Sequence, residues 1–227
     1  MLTPSAATQS ARPQTPFAFP ASRKPTSSDS LAPIGVVMSF GRNAEIYAEG
    51  ESSGYVYKVI SGVVRVSKLL PDGRRQISAF HLPGEMFGFE ADDVHHASAE
   101  AVVPVKVVAF KWDGLLGVAR QPVNIVRELL SLAVKGLKHT QDHLLLLGRK
   151  SALERLAAFL LEMDARTGSK HRLDLAMPRH DIADYLGLTL ETVSRMFAEL
   201  KERGAVRLES ARRVHLLDVA GLRAMGA

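Results

Sequence analysis

One stretch restricts the fold more than any other: PRHDIADYLGLTLETVSRMFAELKERG, from Pro178 to Gly204. It reads as two helices joined by a tight turn. Ile182, Ala183, Tyr185 and Leu186 supply the apolar side of a short first helix. Gly187 can adopt the positive φ at which such a helix stops. Thr189 then has the chemistry of an N-cap, its hydroxyl free to accept from an amide of the next turn. In the second helix Leu190, Val193, Phe197 and Leu200 recur at three-to-four spacing and are expected to face a core. Glu191, Ser194, Arg195 and Ala198 form the opposite stripe. This is the pattern of a helix-turn-helix, which lays its second helix in the major groove of DNA.

The stripe has side chains suited to that groove. The planar fork of Arg195 can bond guanine O6 and N7 together, Glu191 can accept from cytosine N4, and Ser194 can reach a base or a phosphate. A carboxylate close to phosphates is unfavourable unless a base amino group satisfies it, which makes Glu191 more telling than another arginine. The plain alternative is an amphipathic helix with a charged wet face. The turn, the cap and the flanking segments argue against it.

DIADYLGLTLETVSR resembles the recognition motif of the Crp/Fnr family of bacterial transcription regulators. Its E-T-V-S-R core is similar to the Fnr and FixK branches, most of all to the FixK type. The resemblance extends over the chain beyond about Ile34. It implies an α+β chain with an N-terminal cyclic-nucleotide-binding-type β-roll, a long dimerisation helix and a C-terminal winged helix-turn-helix domain. The expected divisions are a mobile arm over 1–33, the roll over 34–118, the dimerisation helix over 119–147 and the DNA-binding domain over 148–227. The arm is rich in Ser, Thr, Ala and Pro and has no periodicity.

Composition narrows the function. The 227 residues, 46% hydrophobic, suffice for one large or two small cores. No apolar run is long enough for a bilayer, and the first residues lack a signal core, so a cytoplasmic protein with no membrane partner is expected. Without cysteine the chain can build no disulfide, no thiolate zinc site and no cysteine-held iron–sulfur cluster. The net charge of +5 permits a polyanion partner. From Gly148 onward there are 14 Lys and Arg against 11 Asp and Glu, so the charge is not sharply segregated. No nucleophile–base constellation, phosphate-cradling glycine loop or HExxH supports an enzyme.

Between Ile34 and about Phe110 the pattern is that of strands. Tyr55, Tyr57 and Val59, then Val63, Arg65 and Ser67, alternate at period two. Gly54, Ser61-Gly62, Pro71-Asp72-Gly73 and Pro83-Gly84-Glu85 punctuate the runs. Arg75 to Phe80 and Val102 to Phe110 are further strands, and the whole suggests a small roll or barrel. The series from Gly54 through L-P-G-E-M-F-G is similar to the sensory domain of Crp/Fnr proteins. In relatives that bind cAMP an Arg-Ser pair follows the G-E corner and holds the cyclic phosphate. Here that stretch reads DDVHHASAE, and Asp92 and Asp93 would repel a phosphate. The site reads as vestigial, so neither cAMP nor an iron–sulfur cluster is expected as cofactor. A ligand-gated regulator of the same architecture, needing a small effector in the roll, stays open as the alternative. His95 and His96, with Glu90, Asp92 and Asp93, could suggest a metal site. Adjacent strand residues point to opposite faces, so a solvated loop is expected instead. Trp112 is expected to pack near the domain junction.

From about Pro122 to Leu147 the period becomes helical. Val126, Leu130, Ala133, Leu137, Thr140, Leu144 and Leu147 alternate spacings of four and three, an a/d seam that asks for a partner helix. A parallel homodimer satisfies it and is what the resemblance implies. Burial inside one chain is the alternative. Ser151 to Arg166 is a second amphipathic helix, with Leu153, Leu156, Ala157, Leu160 and Leu161 inward. Arg172 to Ala176 and Val206 to Leu217 read as short strands, the latter turning at Glu209 to Arg212 as a wing. A tail helix after Asp218 is expected to fray from Ala224 onward.

The resemblance assigns base reading to Leu190, Glu191, Ser194 and Arg195, with Leu190 touching a thymine methyl. Backbone contacts are expected from Thr189, Thr192, His180, Arg212 and Arg213. A homodimer would place two recognition helices roughly 34 Å apart on an inverted repeat of double-stranded DNA. By resemblance its fullest form is TTGAT-N4-ATCAA. Asp72, Arg74 and Lys170 occupy places similar to those with which family activators touch RNA polymerase.

Overall fold

The computed structural model describes residues 35–113 and 123–226. The arm expected over 1–33, Pro122 and the expected boundary near residue 118 lie outside the described residues. Eight strands form two antiparallel four-stranded sheets. One has the order β1 (Val36–Phe40), β8 (Val105–Lys111), β3 (Tyr55–Ser61), β6 (Met86–Phe87). The other runs β2 (Glu45–Tyr47), β7 (Ser98–Ala101), β4 (Val64–Leu69), β5 (Arg75–His81). The strand expected over Val102 to Phe110 begins only at Val105. Pro104, which has no amide to donate to a ladder, sits in the preceding bend. Gly62 turns β3 into β4 at φ +88°, and a Cβ there would run into the Pro104 carbonyl.

The interior of the roll holds Tyr47, Tyr57, Val59, Val64, Phe87 and Val107. A second patch of Val56, Met86, Val108 and Phe110 takes Trp112 and Leu132 against it. Trp112 meets Phe89 edge-on, so it packs at the junction as expected. Leu132 lies on α1 (Val123–Arg149), 27 residues and roughly 40 Å long at 1.5 Å per residue.

Helix α2 (Ala152–Thr167) starts at Ser151, whose amide donates to the Glu154 carboxylate. Leu156, Ala157, Phe159, Leu160 and Met163 are its buried side. There follow β9 (Arg172–Asp174), α3 (Arg179–Leu186), α4 (Leu190–Glu202), β10 (Val206–Leu208) and β11 (Arg213–Leu216). The last strands form a sheet of order β10-β11-β9. The chain closes with α5 (Val219–Gly226). Helix α5 runs to Gly226 and is anchored by the fully buried Leu222, while Ala227 lies outside the described residues.

The two halves share one apolar core. Val63, Ile77, Phe80 and Leu82 of the roll are continuous with Phe159, Leu160, Tyr185, Leu186, Val193 and Phe197 of the C-terminal half. Tyr185 is the centre of this contact. It is fully buried, with Phe80, Phe159 and His143 rings around it. Arg155 binds the ends of two helices at once. Its guanidinium donates to the carbonyls of Leu147 (2.7 Å), Lys150 (2.9 Å) and Leu186 (2.9 Å), satisfying the open C-terminal ends of α1 and α3. Arg166, at the end of α2, is drawn inward. It donates to the Phe80 carbonyl and pairs with Glu85 (2.8 Å) and Glu162 (2.6 Å).

Candidate nucleic-acid interface

Helix α3 stops where glycine allows it. Gly187 is left-handed at φ 61°, and the Leu188 amide returns to the Ala183 carbonyl at 3.0 Å. Thr189 then caps α4, its Oγ1 accepting from the Thr192 amide at 3.1 Å. The Thr192 hydroxyl lies 3.1 Å from the same oxygen. Val193, Met196, Phe197 and Leu200 are buried under α4. Leu190 departs from the expected core row. It is 44% exposed at the first turn, and Met196 fills the core in its stead. Leu190 stands in line with Phe197 but in the first turn, where it is left open to solvent beside the stripe.

Glu191, Ser194, Arg195 and Ala198 are all exposed along α4. The Glu191 carboxyl is held below its usual range by its own backbone amide and by the Thr189 hydroxyl, so it is an anion at neutral pH. The face thus offers, within two turns, an acceptor, a hydroxyl and a guanidinium fork.

The wing is tied to this helix. Arg179 stacks its guanidinium on the Phe197 ring at 3.5 Å and donates to the Ala211 carbonyl at 3.3 Å. Ser210 Oγ accepts from the amides of Arg212 and Arg213, which tightens the turn. Arg213 is exposed, Arg212 is half-buried, and His180 is exposed beside Asp181.

Of the seam residues, Leu130, Ala133, Leu137, Thr140 and Leu144 are exposed along α1, as is Val134 beside them. Leu147 differs. It is half-buried and packs on the C-terminal core of its own chain. The Val126 side chain lies outside the described residues. Asp72 and Arg74 pair with each other at 2.7 Å on the exposed β4–β5 turn. Lys170 is exposed on a separate loop, at φ 51°.

The roll side of the molecule corrects one expectation. His95 is not solvated: it is 1% exposed, stacked on Tyr47 with centroids 3.6 Å apart, and 3.3 Å from Glu90. His96 points the other way, exposed and 2.8 Å from Asp92. The two rings diverge, and no group of three or more metal-ligating side chains gathers among the described residues. Glu85 at the glycine corner accepts from the Leu82 amide and from Arg166, so its carboxylate serves the domain contact.

A line of charges between the halves has no signature in the sequence. Glu100, Arg65, Asp181, Arg75 and Asp184 alternate in sign across the boundary of roll and α3. Asp181 is fully buried there. The pattern left no local signal, because Arg65 and Asp181 are 116 positions apart.

Comparison with known proteins agrees with this architecture. A model of the Crp-like helix-turn-helix domain matches residues 154–225, and one of the cyclic nucleotide-binding domain matches 37–121. The chain is 45% identical over 190 residues to the nitrogen fixation regulation protein FixK of Rhizobium meliloti, covering 84% of this chain and 87% of that one. It is 39% identical to the transcriptional activatory protein AadR of Rhodopseudomonas palustris, covering 71% and 70%. Among solved structures, FixK2 from Bradyrhizobium japonicum superposes with a TM-score of 0.80 at 45% identity, covering 86% of this chain and 98% of that one.

Proposed function

The chain belongs to the FixK branch of the Crp/Fnr family and is a DNA-binding transcription regulator of that type, and we propose that it acts as a homodimeric activator on a TTGA-type inverted repeat without any small effector. The observation that carries the base-reading part is the exposed Glu191–Ser194–Arg195 stripe on a capped helix whose other face is buried. Arg195 reads guanine, Glu191 the base opposite or beside it, Ser194 a thymine or neighbour, and Leu190 a thymine methyl. Thr189, Thr192, His180, Arg212 and Arg213 hold the phosphate backbone.

The exposed run Leu130, Leu137 and Leu144 supports pairing through α1, since an apolar stripe of that length is unfavourable in water. Effector independence is supported by the roll itself. The stretch after the Gly84-Glu85 corner carries no arginine, His95 is stacked on Tyr47, and Glu85 is engaged by Arg166. Activation is supported by the names of the relatives. Asp72, Arg74 and Lys170 are the residues offered to RNA polymerase.

Ligand-free protein should retard a TTGAT-N4-ATCAA duplex in a mobility-shift titration. Arg195→Ala should lose about 1–3 kcal/mol per half-site. Unchanged binding by that variant would overturn the base-reading assignment. Binding that appears only when cAMP is added would overturn effector independence.

A further inference from the structure

The apolar core already joins the two halves, so the buried charges between them need another explanation. Asp181 stands in the first turn of α3, the first helix of the DNA-binding pair, with no solvent exposure. Arg65 on β4 reaches its Oδ2 at 2.8 Å and Arg75 on β5 reaches its Oδ1 at 2.5 Å. Arg65 is held from behind by Glu100 at 2.9 Å, and Arg75 also grips Asp184 at 2.7 Å. Buried ion pairs contribute little net stability against apolar packing of equal volume, and their best-attested use is to fix one register among several. Forked guanidinium bonds are directional, whereas apolar contacts such as that of Phe80 with Tyr185 are not.

We propose that Asp181, clamped by Arg65 and Arg75, is the positioning residue that sets the separation of the two half-sites this regulator reads. The inference rests on the homodimeric DNA reading above. Helix α4 lies one helix packing distance beyond α3, roughly 10 Å. A 20° swing of the pair about the α3–β5 contact therefore moves the reading face by about 3.5 Å, close to one base-pair step. The docked arrangement leaves the Glu191–Ser194–Arg195 stripe exposed, so the clamp holds a reading-competent state rather than a closed one.

The test is the affinity of full-length protein for palindromes with spacers of three, four and five base pairs, and for a single half-site. Wild type should prefer one spacer about tenfold or more. Asp181→Asn should flatten that preference to about threefold or less and weaken the best palindrome about tenfold, with half-site binding unchanged. Arg75→Gln, at the more exposed rim, should do the same in milder form should the buried variant fold poorly. Arg75→Lys, which keeps charge without the fork, should restore only part of the preference. A spacer profile identical to wild type in both Asp181→Asn and Arg75→Gln overturns the proposal. So does tighter binding by either, which would make the clamp inhibitory. Failure of the wild type to bind any of these duplexes would instead sink the DNA reading itself.

Discussion

His143 gives a prediction in which a single ring change should strengthen the protein. It lies on α1 with its ring stacked on Tyr185, centroids 4.1 Å apart and planes 20° from parallel. Both ring nitrogens are buried and meet no hydrogen-bond partner among the described residues. Burial pushes its pKa down from 6.5 to about 4, and nearby His139 and Arg155 act in the same direction. At pH 7 the ring is neutral in the folded and unfolded chain, so the cost is that of unpaired buried nitrogens, on the order of 1–3 kcal/mol. As the pH falls through 6.5 the unfolded chain binds a proton that the folded chain refuses until about pH 4. Stability is therefore lost across that window, by about 2 kcal/mol at pH 5. His143→Phe keeps the ring stack and removes both nitrogens. It should be more stable by about 1–3 kcal/mol at pH 7, and the gap should widen by about 2 kcal/mol at pH 5. Each kcal/mol corresponds to roughly 2–4 °C in a chain of this size. Thermal melts followed by circular dichroism at equal protein concentration would measure it. His81, also pushed down to about 4 by burial, is common to both proteins and cancels. A gap that stays constant from pH 7 to pH 5 would refute the reasoning, because it would mean that His143 charges freely in the folded protein.

Other substitutions address the remaining joints. Arg155→Met strips three carbonyls of their donor and should cost about 2–4 kcal/mol, read from chemical denaturation. Gly187→Ala meets only ordinary contacts, from Arg155 and Leu147, so its cost should be that of a left-handed alanine, about 1–2 kcal/mol. Leu137→Glu should shift the protein toward monomer in sedimentation while leaving its circular dichroism intact, because the side chain is exposed within the chain itself. Alanine at Asp72, Arg74 and Lys170 together should lower transcription in a reconstituted assay with DNA affinity unchanged; parallel loss of both would exclude a polymerase contact.

The helix-turn-helix was legible because its determinants are local. Gly187 stops one helix, Thr189 starts the next, and Val193, Phe197 and Leu200 mark the buried side within a few residues of each other. Short strands such as β2 and β6 carry too few residues to show a period. Leu190 obeys the spacing of Val193 and Phe197 and so reads as core, yet it sits in a first turn that overhangs the packed surface. His95 looked like a polar loop residue; a tyrosine from a separate strand, Tyr47, covers it. The Arg65–Asp181 and Arg75–Asp181 pairs, 116 and 106 positions apart, had no counterpart in any periodicity. Nothing in a single chain of letters says which distant opposite charges will meet.

The oily interior that runs without a break from Ile77 to Phe197 bears on protein engineering. Chimeras that exchange one half for that of a cousin treat such regulators as plug and socket. Here each part completes the other, so a graft that ignores Phe80, Tyr185 and their neighbours would leave two raw surfaces. Heating should melt the native chain in one step, and a transplanted half should give two.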